Sequence, residues 1–407
     1  MIRKLLSLAL SICFLVLSGC ERTQAETDSP IVLKLACWIK DMEIQYLVET
    51  YNASQDTYEI QITDYYDGGI SDDLDTAFAR MNIELISGDI PDLFYLDSMD
   101  IMSLINAGIL ADLYPYIEAD ADFDEGSYLM HIISLFEYDG ALYELAPCFQ
   151  ISALYGPQSF LGDRTGWTID EFEEFDSSLE GPANTLALIR SSMLGYMTQY
   201  AVHSYIDVVD GACSFESSSF VRWLEFIGSF PDGSTSDWEN SILFPATMFS
   251  SVSDYTYHRE SLQDYPVYVG YPSDFAGGPC ASAQSSFGIS AATEYPEACW
   301  DFMKLLLEEP QQSGVISSLG FPVLRSALDA QFDAAMEADI SQDSITSEEA
   351  GYLLALIDGL SYTRFRYEDV QTIIQEEGEA FFAGDATAET AAERIQGRVS
   401  IYLSEKQ

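Results

Sequence analysis

Histidine is almost missing from this chain: His131, His203 and His258 are the only three in 407 residues, and none lies near another. A Ser-His-Asp relay or a histidine metal site would have to be assembled from distant parts, so each histidine reads as a surface or core filler. There is no G-x-S-x-G elbow, no G-x-x-x-x-G-K phosphate loop and no H-E-x-x-H. Positive charge is scarce as well, with 17 Lys and Arg against 67 Asp and Glu and a formal net charge of −50. Such a surface repels nucleic acid and anionic headgroups, which removes both as partners and points to a neutral or cationic ligand. Acidity spread over a solvated surface also simply keeps a protein soluble. It strips paired carboxylates of diagnostic value, because with so many acids a glycosidase-like pair arises by chance at any separation.

Long apolar runs are lacking beyond the first twenty residues, MIRKLLSLALSICFLVLSGC. Arg3 and Lys4, an apolar stretch from Leu5 to Leu17 and small residues at Ser18 and Gly19 form an export signal too short for a spanning helix. Leu17-Ser18-Gly19-Cys20 resembles the bacterial lipoprotein lipobox. That resemblance implies a lipoprotein signal over residues 1–20, lipid on Cys20, and a protein anchored in the cell membrane on its extracellular or periplasmic face. Residues 21–30 are polar and aperiodic and read as a flexible tether. Cysteine offers no staple: past the leader stand Cys37, Cys148, Cys213, Cys280 and Cys299, odd in number and with no C-x-x-C pair. Neither a disulfide framework nor a zinc cluster follows, and most read as small buried hydrophobes.

What the chain does have is 48% hydrophobic residues, enough for two globular domains. Val32–Trp38, Glu43–Tyr51 and Tyr58–Thr63 read as strand, helix and strand, the opening of an α/β sheet with ligand loops at the carboxyl ends of its strands. A helix over 72–87, a strand over 90–96 and a helix over 99–107 follow. The stretch Glu137–Pro157 reads as one extended strand cut by Pro147: an Asp139-Gly140 turn, a strand over Ala141–Leu145, then a strand over Ile151–Tyr155 stopped by Gly156-Pro157. A strand that breaks and resumes without a turn suits a crossing between lobes, with Pro147, Cys148, Phe149 and Gln150 on the cleft floor.

Ser87-Gly88-Asp89-Ile90-Pro91-Asp92 before a strand and Gly108-Ile109-Leu110-Ala111-Asp112-Leu113 resemble the family-1 extracellular solute-binding proteins of bacterial ABC importers, the group of maltose-binding protein. Gly140–Pro147, Gly166–Phe172, Phe287–Ser290 and Gly320–Val323 fit the same pattern in the same order. The resemblance implies an α/β, two-lobed periplasmic-binding-protein-like fold of type II. Lobe one takes residues 30–147 plus 286–324, and lobe two takes 150–284 plus 325–403. It also implies a carbohydrate ligand, permease subunits as partners, a monomer, and neither catalysis nor a cofactor.

In the second lobe, Thr168 and Glu171 form a capping box with Trp167 stapled on Phe172, so Trp167 is structural. Trp223 and Trp300 lie in helical apolar stripes and read as core. Residues 186–205 and 220–227 read as helices, 232–237 as a loop, and Ser273–Ser286, rich in Gly and Ser, as a loop reaching back to lobe one. The last third reads as helices over 352–360, 370–382 and 388–403. The run Asp120–Gly126 imitates a calcium loop, but Glu125 stands where the turn needs glycine and His131 where a bidentate Glu should close the shell, so no metal is expected. For the sugar site, strand-end position selects Trp38, Lys40, Asp41, Tyr65, Tyr66, Asp97 and Gln150, with Phe249, Ser251 and Tyr271 from the second lobe: flat aromatics for C–H faces, amides and charges for hydroxyls. Two other readings stay open at this point, a surface glycan-processing enzyme and a partner-binding adaptor or sensor lipoprotein.

Overall fold

The computed structural model describes residues 29–66, 74–179, 184–186, 188–232, 241–338 and 344–406. The leader, Cys20, most of the tether and the loop beyond Asp232 lie outside the described residues. The strands are β1 (Ile31–Cys37), β2 (Tyr58–Asp64), β3 (Leu93–Tyr95), β4 (Cys148–Pro157), β5 (Asn184–Leu186), β6 (Ser241–Phe249), β7 (Pro266–Val269), β8 (Cys280–Gln284), β9 (Phe287–Ile289) and β10 (Phe321–Pro322). They form two main sheets, with a further two-residue ladder apart.

In the first sheet β1 pairs in parallel with β2 and β3, as the opening pattern predicts, and β9 returns from far along the chain to lie antiparallel on β3. The helix Met42–Ser54 buries Ile44, Leu47, Val48 and Tyr51 toward the sheet, and Asp41 caps it by accepting from the Ile44 N–H at 2.8 Å. Crossover helices thus leave the β1 and β3 loops together at one end of the sheet.

The second sheet is built around β4. Its first half pairs with β8 and β10, and its second half with β7 and β6. A register shift against β6 between Ile151 and Ala153 bends the strand midway. The expected strand over Ala141–Leu145 is absent, leaving two isolated bridges, Ala141 to Tyr138 across the Asp139-Gly140 turn and Leu145 to Phe287. Instead β4 starts directly after Pro147 and runs through Gly156 to Pro157. The proline before the strand interrupts no ladder bond, and its carbonyl accepts from Val323 and Gln312. At Gly156 a Cβ would lie 2.8 Å from the Ile242 carbonyl, so glycine marks a close approach, not a stop. Ser273–Ser286, expected as a loop, contains β8; its sequence Cys-Ala-Ser-Ala-Gln is too small and mixed to show a strand period.

One hydrophobic core holds the first sheet and continues through Phe149, Phe321 and Phe249 beneath β4. A second gathers Leu154, Trp167, Phe172, Trp223, Val269, Val370 and Ile395. A third, smaller one lies around Trp38, Tyr65, Phe94 and Leu96. The capping box at Thr168 and Glu171 forms as read, Trp167 meets Phe172 edge-on at 4.9 Å, and Trp223 and Trp300 are buried. The helices Ser347–Asp358, Glu368–Phe382 and Ala388–Lys406 follow one another with no strand between them among the described residues. Cys37, Cys148, Cys280 and Cys299 are buried free thiols. No helix among the described residues is long and apolar enough to cross a membrane.

Candidate functional site

Where the first sheet meets the second, a polar cavity of about 410 Å³ opens. That lies within the range of small-molecule sites, ~300–1,000 Å³. One wall comes from the residues after β3, Asp97 to Met99, and from Glu144; the floor is β8; the opposite wall is the loop Thr363–Arg366 with Gln199, Glu368 and Gln371. The loop is held at both sides. The Ala281 N–H donates to the Tyr362 carbonyl at 3.0 Å, and the Phe365 N–H to the Gln199 carbonyl at 2.7 Å. Gln371 Nε2 donates to the Phe365 carbonyl at 2.8 Å. A loop fixed by that many backbone bonds presents its side chains in one place.

Most polar groups in this cavity are already engaged. Asp97 accepts from the N–H groups of Ser285 at 3.0 Å and Ser286 at 3.1 Å, and from the Tyr95 hydroxyl at 3.2 Å. Glu144 is gripped by Arg366, and Ser282 Oγ lies 3.3 Å from Ser152 Oγ. Among the charged and amide side chains facing the cavity, those of Arg364 and Gln199 form no hydrogen bond or ion pair with the described residues, and Glu368 feels Arg364 only through space. Burial raises Glu368 above the usual carboxylate range, helped by Asp100 and opposed by Arg364. A guanidinium, an amide and a carboxylate around one space supply donors and acceptors for a ring of hydroxyls.

Of the residues selected from sequence, Asp97 lines the cavity and the other nine do not. Tyr65 is 1% exposed and its hydroxyl donates to Glu84 at 2.5 Å; Trp38 is 4% exposed, near-parallel to Tyr66 with ring centres 6.4 Å apart. Both are packing residues, because the strand-end side chains turn in under the helix Leu74–Ser87 and β3 instead of out. Phe249 stacks on Tyr268 at 4.5 Å inside the core, and Tyr271 is buried against Tyr200 and Tyr196. Ser251 and Asp41 cap helices. Gln150 donates to the Leu319 carbonyl at 3.3 Å, Pro147, Cys148 and Phe149 are core, and Lys40 and Tyr66 stand beside the first sheet's end. The aromatic platform expected from strand-end position is not in this cavity: among the described lining residues only Phe136 and Phe365 are aromatic, both buried.

The cavity residues that sequence reasoning missed are Glu144, Gln199, Glu368 and the segment Thr363-Arg364-Phe365-Arg366. Two arginines two apart, in a chain with 17 basic residues against 67 acidic, were the available signal. Asp120, in the calcium-like run, is instead held by Trp300 Nε1 at 2.9 Å and Lys304 at 3.0 Å.

Burial pushes Asp97 up to about 6, against the pull of the Ser286 and Ser285 N–H groups and Tyr95. An acid whose pKa is higher folded than unfolded adds stability below its unfolded value and loses it as pH rises through the folded one. The protonation-linked share of the stability from Asp97 is therefore expected to be full below about pH 4 and gone above about pH 6. Urea midpoints of the native chain minus those of Asp97→Asn, taken from pH 4 to 7, should fall with rising pH; a flat difference would contradict the assignment.

No family model matches this chain, and no curated protein does. Solved structures match over nearly its whole length. The sugar-binding protein MalE of Xanthomonas citri superimposes with a TM-score of 0.61 at 13% identity, covering 92% of this chain and 98% of its own. An ABC substrate-binding protein of Listeria monocytogenes in complex with cycloalternan gives 0.59 at 13%, covering 92% and 99%. The GacH receptor of Streptomyces glaucescens, solved unliganded and with acarbose, gives 0.59 at 13%, covering 92% and 99%. The chain has the two-lobed α/β fold of MalE-like extracellular solute-binding proteins. These structural neighbours are binding proteins rather than enzymes.

Proposed function

We propose that this protein is the solute receptor of an ABC importer, capturing a sugar or oligosaccharide between its lobes and delivering it to a membrane permease. The observation that carries this reading is the largely polar cavity between the two sheets, on a fold whose matched structures bind sugars: MalE, the cycloalternan complex and the acarbose-binding GacH receptor. Lobe one comprises 30–147 plus 286–324 and lobe two 150–284 plus 325–403, with the crossings at β4, after β8 and at β10. Closure of the lobes on the ligand makes the form the permease recognises. Lipid on Cys20 holds the receptor, as a monomer, at the outer face of the membrane. Arg364, Gln199 and Glu368 are the ligand contacts of lobe two, and hydrogen bonds take the place of ring stacking.

A thermal-shift screen of the mature chain against neutral mono- and oligosaccharides, peptides and polyamines tests this. A ligand at about one hundred times its Kd adds about 2.7 kcal/mol to stability. A shift with a sugar is the expected outcome; a folded protein that no sugar shifts would overturn the reading. With the sugar in hand, Arg364→Ala is expected to weaken binding by about 1.5–3 kcal/mol, the weight of a charged hydrogen bond, and Gln199→Ala by about 0.5–1.5. Calorimetric titration reads both, and neither should lower the melting temperature of the empty protein.

A further inference from the structure

Glu144 and Arg366, also on the cavity wall, have a different character from Arg364 and Glu368. Glu144 is 1% exposed at its side chain and Arg366 19%, and the guanidinium grips the carboxylate with both ends, Nη2 to Oε2 at 2.7 Å. Ser286 Oγ donates to the same oxygen at 3.2 Å. The partners stand on opposite sides of the cleft. Glu144 lies between Leu142 and Leu145 of the first core, and Leu145 exchanges both backbone bonds with Phe287. Arg366 lies between Phe365 and Val370 of the second core, on the loop tied to Gln199. Glu144 is also within a few residues of β4, and Arg366 of Thr363, which bridges Ala281 of β8. The pair therefore links segments of the two cores beside β4 and β8.

We infer that Glu144 and Arg366 form an interlobe clamp that positions the loop carrying Arg364 and limits how far the empty cleft opens. A two-pronged guanidinium–carboxylate contact fixes orientation as well as distance. Losing one partner strands a buried charge, so the pair resists being pulled apart as the lobes swing open. Only the consequence for ligand affinity rests on the proposed receptor function; the clamp itself is read without ligand.

The test uses the empty mature chain with Glu144→Gln, Arg366→Gln and the double variant. Small-angle scattering is expected to show a larger radius of gyration in each single variant. Backbone hydrogen exchange at 362–366 and 284–287 should accelerate roughly tenfold or more in each. The double variant should exceed neither single one, because both cut the same contact and the double leaves no stranded charge. Unchanged scattering and exchange in folded single variants, or effects that add in the double, would overturn the clamp. If a single variant does not fold, Glu144→Leu with Arg366→Met removes the charges together and restores packing; native-like scattering and exchange in that variant would equally overturn it. Failure of every sugar to bind would leave these readouts intact and count against the receptor reading alone.

Discussion

Trp167→Ala is expected to cost about 3–5 kcal/mol of folding stability, the range for deleting a fully buried large aromatic. The indole has no exposure, meets Phe172 edge-on, lies 5.5 Å from Phe175 and donates Nε1–H to the Gly270 carbonyl at 2.9 Å. Its loss opens a cavity in the second core and leaves that carbonyl without its donor. The effect should reach the site. Gly270 and Gly166 let the backbone at 276–278 lie flush against them, a Cβ on Gly270 falling 1.9 Å from the Gly277 carbonyl, and this segment leads straight into β8 on the cavity floor. Urea unfolding should show the lost stability, and sugar binding should weaken with it. A loss under 1 kcal/mol would mean that the pocket around Trp167 collapses without harm.

Asp97→Ala carries the second large effect. The carboxylate accepts from the backbone N–H groups of Ser285 and Ser286, which are 3% and 2% exposed, and Ser285 turns through a left-handed φ of 53°. Alanine strands both donors at about 1–3 kcal/mol each, so a total of about 2–6 is expected. The tight turn between β8 and β9 loses what holds it. Asp97→Asn, which keeps one acceptor oxygen, should lose less. Chemical denaturation of the three proteins at pH 7 decides the order, and equal stability of native and alanine forms would show that water replaces the carboxylate freely.

The fold was legible where periodicity is strong. The alternating strand at Tyr58–Asp64, the helical spacing of Ile44, Leu47 and Val48, and the Thr168–Glu171 box each depend on nearest neighbours in sequence. The crossing was less legible, because β8 is made of small residues whose strand state is imposed by pairing with β4. The site was least legible. Strand-end position picked out Asp97, which lines the cavity, but Tyr65, Phe249 and Tyr271 show that an aromatic at a strand end turns inward when the next element covers it. Arg364 and Gln199 reach the cavity from a loop and a helix end far apart in sequence, and only the backbone bonds among Tyr362, Ala281, Phe365 and Gln199 bring them together.

The central claim is that a sugar is held between the two sheets, against Arg364, Gln199 and Glu368. The measurement that tests it most directly is a crystal structure of the protein with whichever sugar shifts its melting. The expected result is the sugar over β8, with Arg364 and Gln199 donating to its hydroxyls and the Glu144–Arg366 pair intact behind it. A sugar seated elsewhere, such as the depression between Tyr58, Tyr128 and Lys304, with this cavity holding only water, would contradict the account.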